Sequence, residues 1–179
     1  MSHKQVWQVA ALLLLPLPCH GQKTGTKTQG LTAQLNPYAE LSVPATATLT
    51  NGGVAFQPFT GTVSINFRAR TTATTGSASL TLKATSDFSP AGGPSVAAGN
   101  LAYTCTSASL GTPCSGSQTV STSAQTPVVT VGAGVCTGGG GVCSSSDPNT
   151  AQVSFTLSNQ ISFHTGTYSA TLTFTVSAL

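Results

Sequence analysis

Side chains able to do acid–base or nucleophilic chemistry are scarce in this chain. Beyond its first twenty-one residues it holds one histidine, His164, and three carboxylates, Glu40, Asp87 and Asp147. A Ser–His–Asp arrangement would have to join His164 to Asp87 or Asp147. No G-x-S-x-G elbow singles out one serine among the 22. Glycoside hydrolysis needs two carboxylates about 5–10 Å apart, and Glu40, Asp87 and Asp147 each read as lying in or near a turn. Asp147-Pro148-Asn149 offers one acid and one amide, a poor start for calcium. The run Gly138–Gly141 lacks the Lys-Ser/Thr of a phosphate loop. These residues predict a protein that is not an enzyme and has no catalytic, metal or cofactor site.

Binding chemistry has more to work with. Arg68 and Arg70 lie two apart, on one face of any strand that contains them. They suit an acidic polymer or a sugar phosphate, and equally the charged edge that blocks unwanted strand pairing. Tyr38 and Tyr103 have rings that suit stacking on sugars. Arg68, Arg70, Tyr38 and Tyr103 are therefore the candidate ligand contacts.

Four cysteines, Cys105, Cys114, Cys136 and Cys143, remain if the first twenty-one residues are removed. An even count behind an export signal reads as two disulfides, with three pairings open. The spacing favours the local pairs Cys105–Cys114 and Cys136–Cys143, each closing a short loop rich in Gly and Ser. The spacings are too wide for a two-residue zinc knuckle.

The export signal itself is residues 1–21. His3 and Lys4 precede an apolar run from Val9 to Pro18, too short to span a bilayer, and Cys19 and Gly21 sit at the −3 and −1 positions of a cut before Gln22. Cys19 lacks the small preceding residue of a lipidated cysteine. Cleavage would remove Trp7, the single tryptophan, and leave five cations against three carboxylates. Charged residues are 5% of the chain, and 30 Thr with 22 Ser supply the polar surface instead. Such a surface has no field to draw nucleic acid or anionic lipid. The expected setting is secreted, at a bacterial cell surface or in the periplasm, with no transmembrane span.

The elements that would position these residues are strands. Residues 22–30 read as a mobile tail and 31–179 as one β-sandwich domain. Leu31, Ala33 and Leu35 alternate with Thr32 and Gln34 before Asn36-Pro37 breaks the pattern. Leu41 and Val43, Ala45–Thr50, and Ile161 with Phe163 read as short strands. Val63, Ile65, Phe67 and Ala69 alternate with polar partners, as do Ala78, Leu80, Leu82 and Ala84; the two runs read as a hairpin whose polar face carries Arg68, Arg70 and Lys83. Further strands are expected at Leu101–Cys105, 118–123, 127–131 and Val153–Leu157. Residues 132–149 form a long loop for the second cysteine pair to staple. No helical period appears beyond the leader. Seven to nine short strands with frequent turns describe an all-β, immunoglobulin-like antiparallel sandwich, with a jelly roll or barrel as the alternative.

The most regular run is the last. In Gly166-Thr167-Tyr168-Ser169-Ala170-Thr171-Leu172-Thr173-Phe174-Thr175-Val176, apolar residues and hydroxyls alternate with period two. With Thr165 it resembles the closing strand of bacterial pilin-like and spore-coat-U-like secreted proteins, which end in G-x-Y and an alternating strand; Leu41–Lys83 is loosely similar to the same domains. The resemblance implies an immunoglobulin-like sandwich on the bacterial surface, assembled by strand exchange with a neighbour, and no catalytic residues. The cysteines depart from the pilin pattern, bracketing short loops instead of joining the first strands. The expected function is a non-catalytic exported subunit, structural or adhesive, that associates with itself or with other surface proteins. The alternative is a carbohydrate- or ligand-binding module. For Leu31–Leu35 two roles are open: a donor strand to another copy, or completion of the sandwich in its own chain.

Overall fold

The computed structural model describes residues 27–34, 36–71, 76–132 and 148–179. The leader, the Cys136/Cys143 pair, Asp147 and the Gly138–Gly141 run lie outside the described residues. All strands fall in the unit Leu35–Leu179. They are β1 (Tyr38–Ser42), β2 (Phe59–Arg70), β3 (Ala78–Ser89), β4 (Leu101–Ala108), β5 (Thr112–Pro113), β6 (Ser117–Thr119), β7 (Thr126–Val131), β8 (Asn149–Leu157) and β9 (Ser169–Ala178).

Alternating sequence dictates the architecture. Each long strand has one apolar face, and two sheets are needed to bury those faces against each other. One sheet has the order β1-β2-β8-β4-β6 and the other β5-β7-β3-β9, every pair antiparallel and neither sheet closed into a barrel. Val63, Ile65 and Phe67 of β2, Ala151, Val153 and Phe155 of β8, and Leu101 and Tyr103 of β4 face Leu80, Leu82 and Ala84 of β3 and Val129 and Val131 of β7, all buried. The β3–β7 register shifts between Leu80 and Thr81, leaving Val128 as an extra, unpaired residue. Such a bulge lets the consecutive residues Val128 and Val129 both be buried.

The connectivity is immunoglobulin-like. In the constant-type sandwich A-B-E-D forms one sheet and C-F-G the other. Here β1, β2, β8 and β4 occupy A, B, E and D, while β3 and β9 occupy C and F. Short strands β5–β7 are inserted between the D and E equivalents. Among the described residues nothing occupies the G position beside β9.

Three expectations about strands are corrected. The runs at Val63–Ala69 and Ala78–Ala84 are not a hairpin: β2 pairs with β1 and β8, and β3 with β7 and β9. The two strands lie in different sheets with their apolar faces both turned to the core, so Lys83 projects from the opposite side of the sandwich to Arg68 and Arg70. Ala45–Thr50 contributes only the bridge Thr50↔Thr60. Ile161 is 82% exposed and lies in a turn, not a strand. Residues 27–34 form no strand either, and Leu31 is 91% exposed.

Candidate functional site

Strand β9 is an edge. Its ladder to β3 runs from Ala78↔Ala178 to Ser89↔Ser169, and among the described residues no strand pairs its other side. The apolar face of β9, made of Ala170, Leu172, Phe174, Val176 and Ala178, packs on the core but stays only half-buried, unlike the matching faces of β2, β3 and β8. Strand β1, the edge of the other sheet, approaches β9 from across the sandwich. Leu41 of β1 and Val43 just beyond it are also only partly covered. One flank of the sandwich thus exposes a seam of aliphatic and aromatic side chains beside a free row of backbone donors and acceptors.

The entry to β9 is fixed firmly. Tyr168, one residue before the strand, donates its hydroxyl to the His164 carbonyl at 2.8 Å. This is the geometry of a tyrosine corner at the start of an F strand, and the Gly-x-Tyr spacing was its signal in the sequence. The Tyr168 ring lies over Gly93, where any side chain would collide with it, and the His164 ring covers Gly92, whose φ of +93° also favours glycine. His164 donates its backbone N–H to the Gly92 carbonyl at 2.8 Å. The loop from Asp87 to Asn100 is in turn tied by Asp87, whose carboxylate accepts from Ser95 Oγ and from the N–H groups of Phe88, Val96 and Ala97. Desolvation pushes the Asp87 pKa up, but these donors outweigh it and hold it below the ordinary value. Thus Asp87 and His164 serve to fix loops here.

The second cluster gathers the candidate ligand contacts on the outer face of β1 and β2. Tyr38 stands opposite Arg70, Glu40 opposite Arg68, and Ser42 opposite Asn66. Glu40 Oε2 accepts from the Tyr38 hydroxyl at 2.7 Å and from Arg68 at 2.8 Å. The Tyr38 bond, then that from Arg68, lowers the Glu40 pKa from its usual value. A shallow open depression of about 280 Å³ adjoins them, lined by Glu40, Ser42, Asn66, Phe67, Arg68 and Pro148. Three of the four candidates therefore come together. The fourth, Tyr103, is corrected: it is buried in the core, its ring near Phe155 and its hydroxyl donated to the Pro127 carbonyl at 2.7 Å, so neither face is open to a sugar. An alternating strand puts a tyrosine inward or outward with equal ease, and Leu101-Ala102-Tyr103 sets Tyr103 on the inward phase. Sequence reasoning treated Glu40 only as a would-be catalyst and missed it here; its two-residue spacing from Tyr38, placing both on one strand face, was the available signal.

Cys105 and Cys114 form a disulfide. Cys105 is on β4 of one sheet. Cys114 follows β5 of the other and donates its N–H to the Val128 carbonyl of β7. The bond is local in sequence, yet it joins the two layers at the flank opposite β9. Among the described residues no cluster of His, Cys, Asp and Glu could hold a metal, and no helix is long and apolar enough to cross a membrane. No family model matches the chain, and no curated protein or solved structure matches it either.

Proposed function

We propose that this protein is a non-catalytic, exported bacterial surface subunit that polymerises by strand addition, the Leu31–Leu35 segment of one copy pairing with the free edge of β9 in the next. One observation carries the reading: β9 has an open edge and a half-buried apolar face where a complete immunoglobulin-like sandwich has its G strand. The donor fits by pattern. Leu31, Ala33 and Leu35 alternate, so an added strand would lay them along Leu172, Phe174 and Val176 and turn Thr32 and Gln34 to solvent. Residues 27–34 are exposed and form no strand, which favours donation over completion of the sandwich in the same chain. The leader supports export, and the closing Gly-x-Tyr strand supports kinship with pilin-like and spore-coat-U-like proteins. Because donor and acceptor are different surfaces, the contact is heterologous and propagates into a filament.

Light scattering and electron microscopy of the chain lacking residues 1–21 test this. Polymers are expected, and they should disappear when residues 22–35 are deleted or when Leu31 and Leu35 are both changed to Asp. Added peptide spanning residues 27–36 should cap the free edge and block growth. A strictly monomeric chain, or polymers indifferent to those changes, would overturn the assignment.

A further inference from the structure

We propose that the outer face of the β1–β2 corner binds the carboxylate-bearing sugar units of an acidic polysaccharide, with Arg70 holding the carboxylate and Tyr38 the ring. The site is separate from the β9 edge and does not depend on the assembly reading. Its residues form three cross-strand rows, Tyr38–Arg70, Glu40–Arg68 and Ser42–Asn66. Successive rows on one face lie about 6.7 Å apart, so the three rows offer a length suited to a short oligosaccharide and not to one sugar alone.

Charge selects the ligand. Glu40 neutralises Arg68 in the ion pair between them, and the same carboxylate oxygen takes the Tyr38 hydroxyl. Tyr38 is thereby set along the strand with a half-exposed ring. Arg70 joins no ion pair among the described residues, so within the set Glu40, Arg68 and Arg70 the positive charges exceed the negative by one. A guanidinium presents a fork that matches a carboxylate in two parallel hydrogen bonds. A phosphodiester such as poly(glycerol phosphate) carries a single charge that Arg70 could take, but its glycerol backbone offers no sugar ring to Tyr38. Asn66 and Ser42 beside the depression can hydrogen-bond sugar hydroxyls. The sheet then continues across Ser64, Gln152 and Ser154, an uncharged row of hydroxyls and amide over which a chain of further sugars can lie. Lys83 lies on the other outer face and serves as an internal control.

The test is calorimetric titration of the chain lacking residues 1–21 with oligogalacturonate. Methyl-esterified oligogalacturonate and a poly(glycerol phosphate) serve as separate arms. Binding is expected for the free acid alone, and it should weaken with added salt. Arg70→Gln should lower affinity at least about tenfold, the loss of a charge-assisted bidentate contact. Tyr38→Ala should weaken it too, and Lys83→Gln should leave it unchanged. All three side chains project outward, so the circular dichroism spectrum of each variant should match that of the parent. The proposal is overturned if the free acid fails to bind, if the ester binds equally well, if the phosphodiester polymer binds in place of the uronate, or if Arg70→Gln binds as tightly as the parent.

Discussion

The two flanks of the sandwich are built in opposite ways. At the β5–β6 flank a disulfide joins the sheets, and Leu110 and Val120, which adjoin β5 and β6 in sequence, are buried. At the β1–β9 flank Leu41, Val43, Leu172, Phe174 and Val176 are only partly covered, and among the described residues no strand pairs with one row of β9 backbone groups. Both flanks derive from the same alternating pattern, so composition does not separate them. The difference is whether another strand or a covalent link covers the last apolar row. A long, exposed, apolar edge is what folded proteins normally protect against. Left open among the described residues, it is the edge that the proposed strand addition would cover.

Truncation measures the contrast most directly and gives the largest effect. Phe155 on β8 and Phe174 on β9 are the same residue type on equivalent faces, one buried and one half-buried. Phe155→Ala should cost about 3–5 kcal/mol, as for other buried phenylalanines. Phe174→Ala should cost roughly half as much in a chain lacking residues 22–35. Chemical denaturation of both variants checks this. Repeating it with the 27–36 peptide present should raise the Phe174 penalty toward the Phe155 value, because the added strand completes the burial. Equal penalties without peptide would mean that the flank is already closed.

The covalent side is next in size. The Cys105–Cys114 bond spans a sequence separation of nine. Closing a loop of that length contributes about 2–3 kcal/mol in the chain-entropy account. Changing both cysteines to serine should therefore lower Tm by roughly 4–12 °C in a domain of this size. Polymerisation at the far flank should persist at temperatures where the variant stays folded. Loss of polymers in that variant while still folded would show that the two flanks are coupled.

Alternation fixed which residues face inward, and that much was legible. Val63, Ile65, Phe67, Leu80, Leu82, Val153 and Phe155 are all core, as period two requires. What alternation cannot specify is the partner of each face. The runs 63–69 and 78–84 are adjacent in sequence and equally amphipathic, so pairing in one hairpin and placement in opposite sheets satisfy the pattern equally. The structure takes the second, with each apolar face turned to the shared core. Tyr103 was misread for a related reason: its aromatic ring was weighed without the phase of its strand. The Tyr38–Arg68–Arg70 cluster was half legible, since same-strand spacing placed the arginines together while only cross-strand register could bring Tyr38 and Glu40 to them. The Asp87 node was hidden, because its donors are mostly backbone N–H groups in an irregular loop.

That node supports the open flank from one end, since the loop it ties carries Gly92 and Gly93 beneath His164 and Tyr168. Asp87→Asn removes the charge from a carboxylate receiving four hydrogen bonds. Allowing for its exposure, this should destabilise the fold by about 1–2 kcal/mol. The pH dependence has a definite sign. The folded-state pKa of Asp87 is lowered, so its stabilisation is fully present above the ordinary aspartate pKa and is lost as pH falls through the lower folded value. Denaturation curves for parent and variant should therefore differ at pH 7 and converge in strong acid. Tyr103 acts at the other extreme. Burial raises its pKa, so the stabilisation from keeping it neutral holds below about pH 10 and is lost as pH climbs toward the raised folded value.

The smallest change in stability is expected at Glu40, where a large change in binding should accompany it. The Glu40 and Arg68 side chains are both solvent-exposed where they pair, so Glu40→Gln should leave Tm essentially unchanged. The same change removes a negative charge from beside Arg68 and Arg70. Affinity for oligogalacturonate should then rise, with a steeper salt dependence, because the anionic ligand no longer meets the Glu40 carboxylate. Acid titration of the parent adds a check: binding should fall as the uronate is protonated, because the neutral ligand loses its charge-assisted contact with Arg70. A weaker complex in Glu40→Gln would mean that Glu40's grip on Tyr38 and Arg68 matters more than the charge it cancels, and the corner would then be a preorganised hydrogen-bonding site with little dependence on charge.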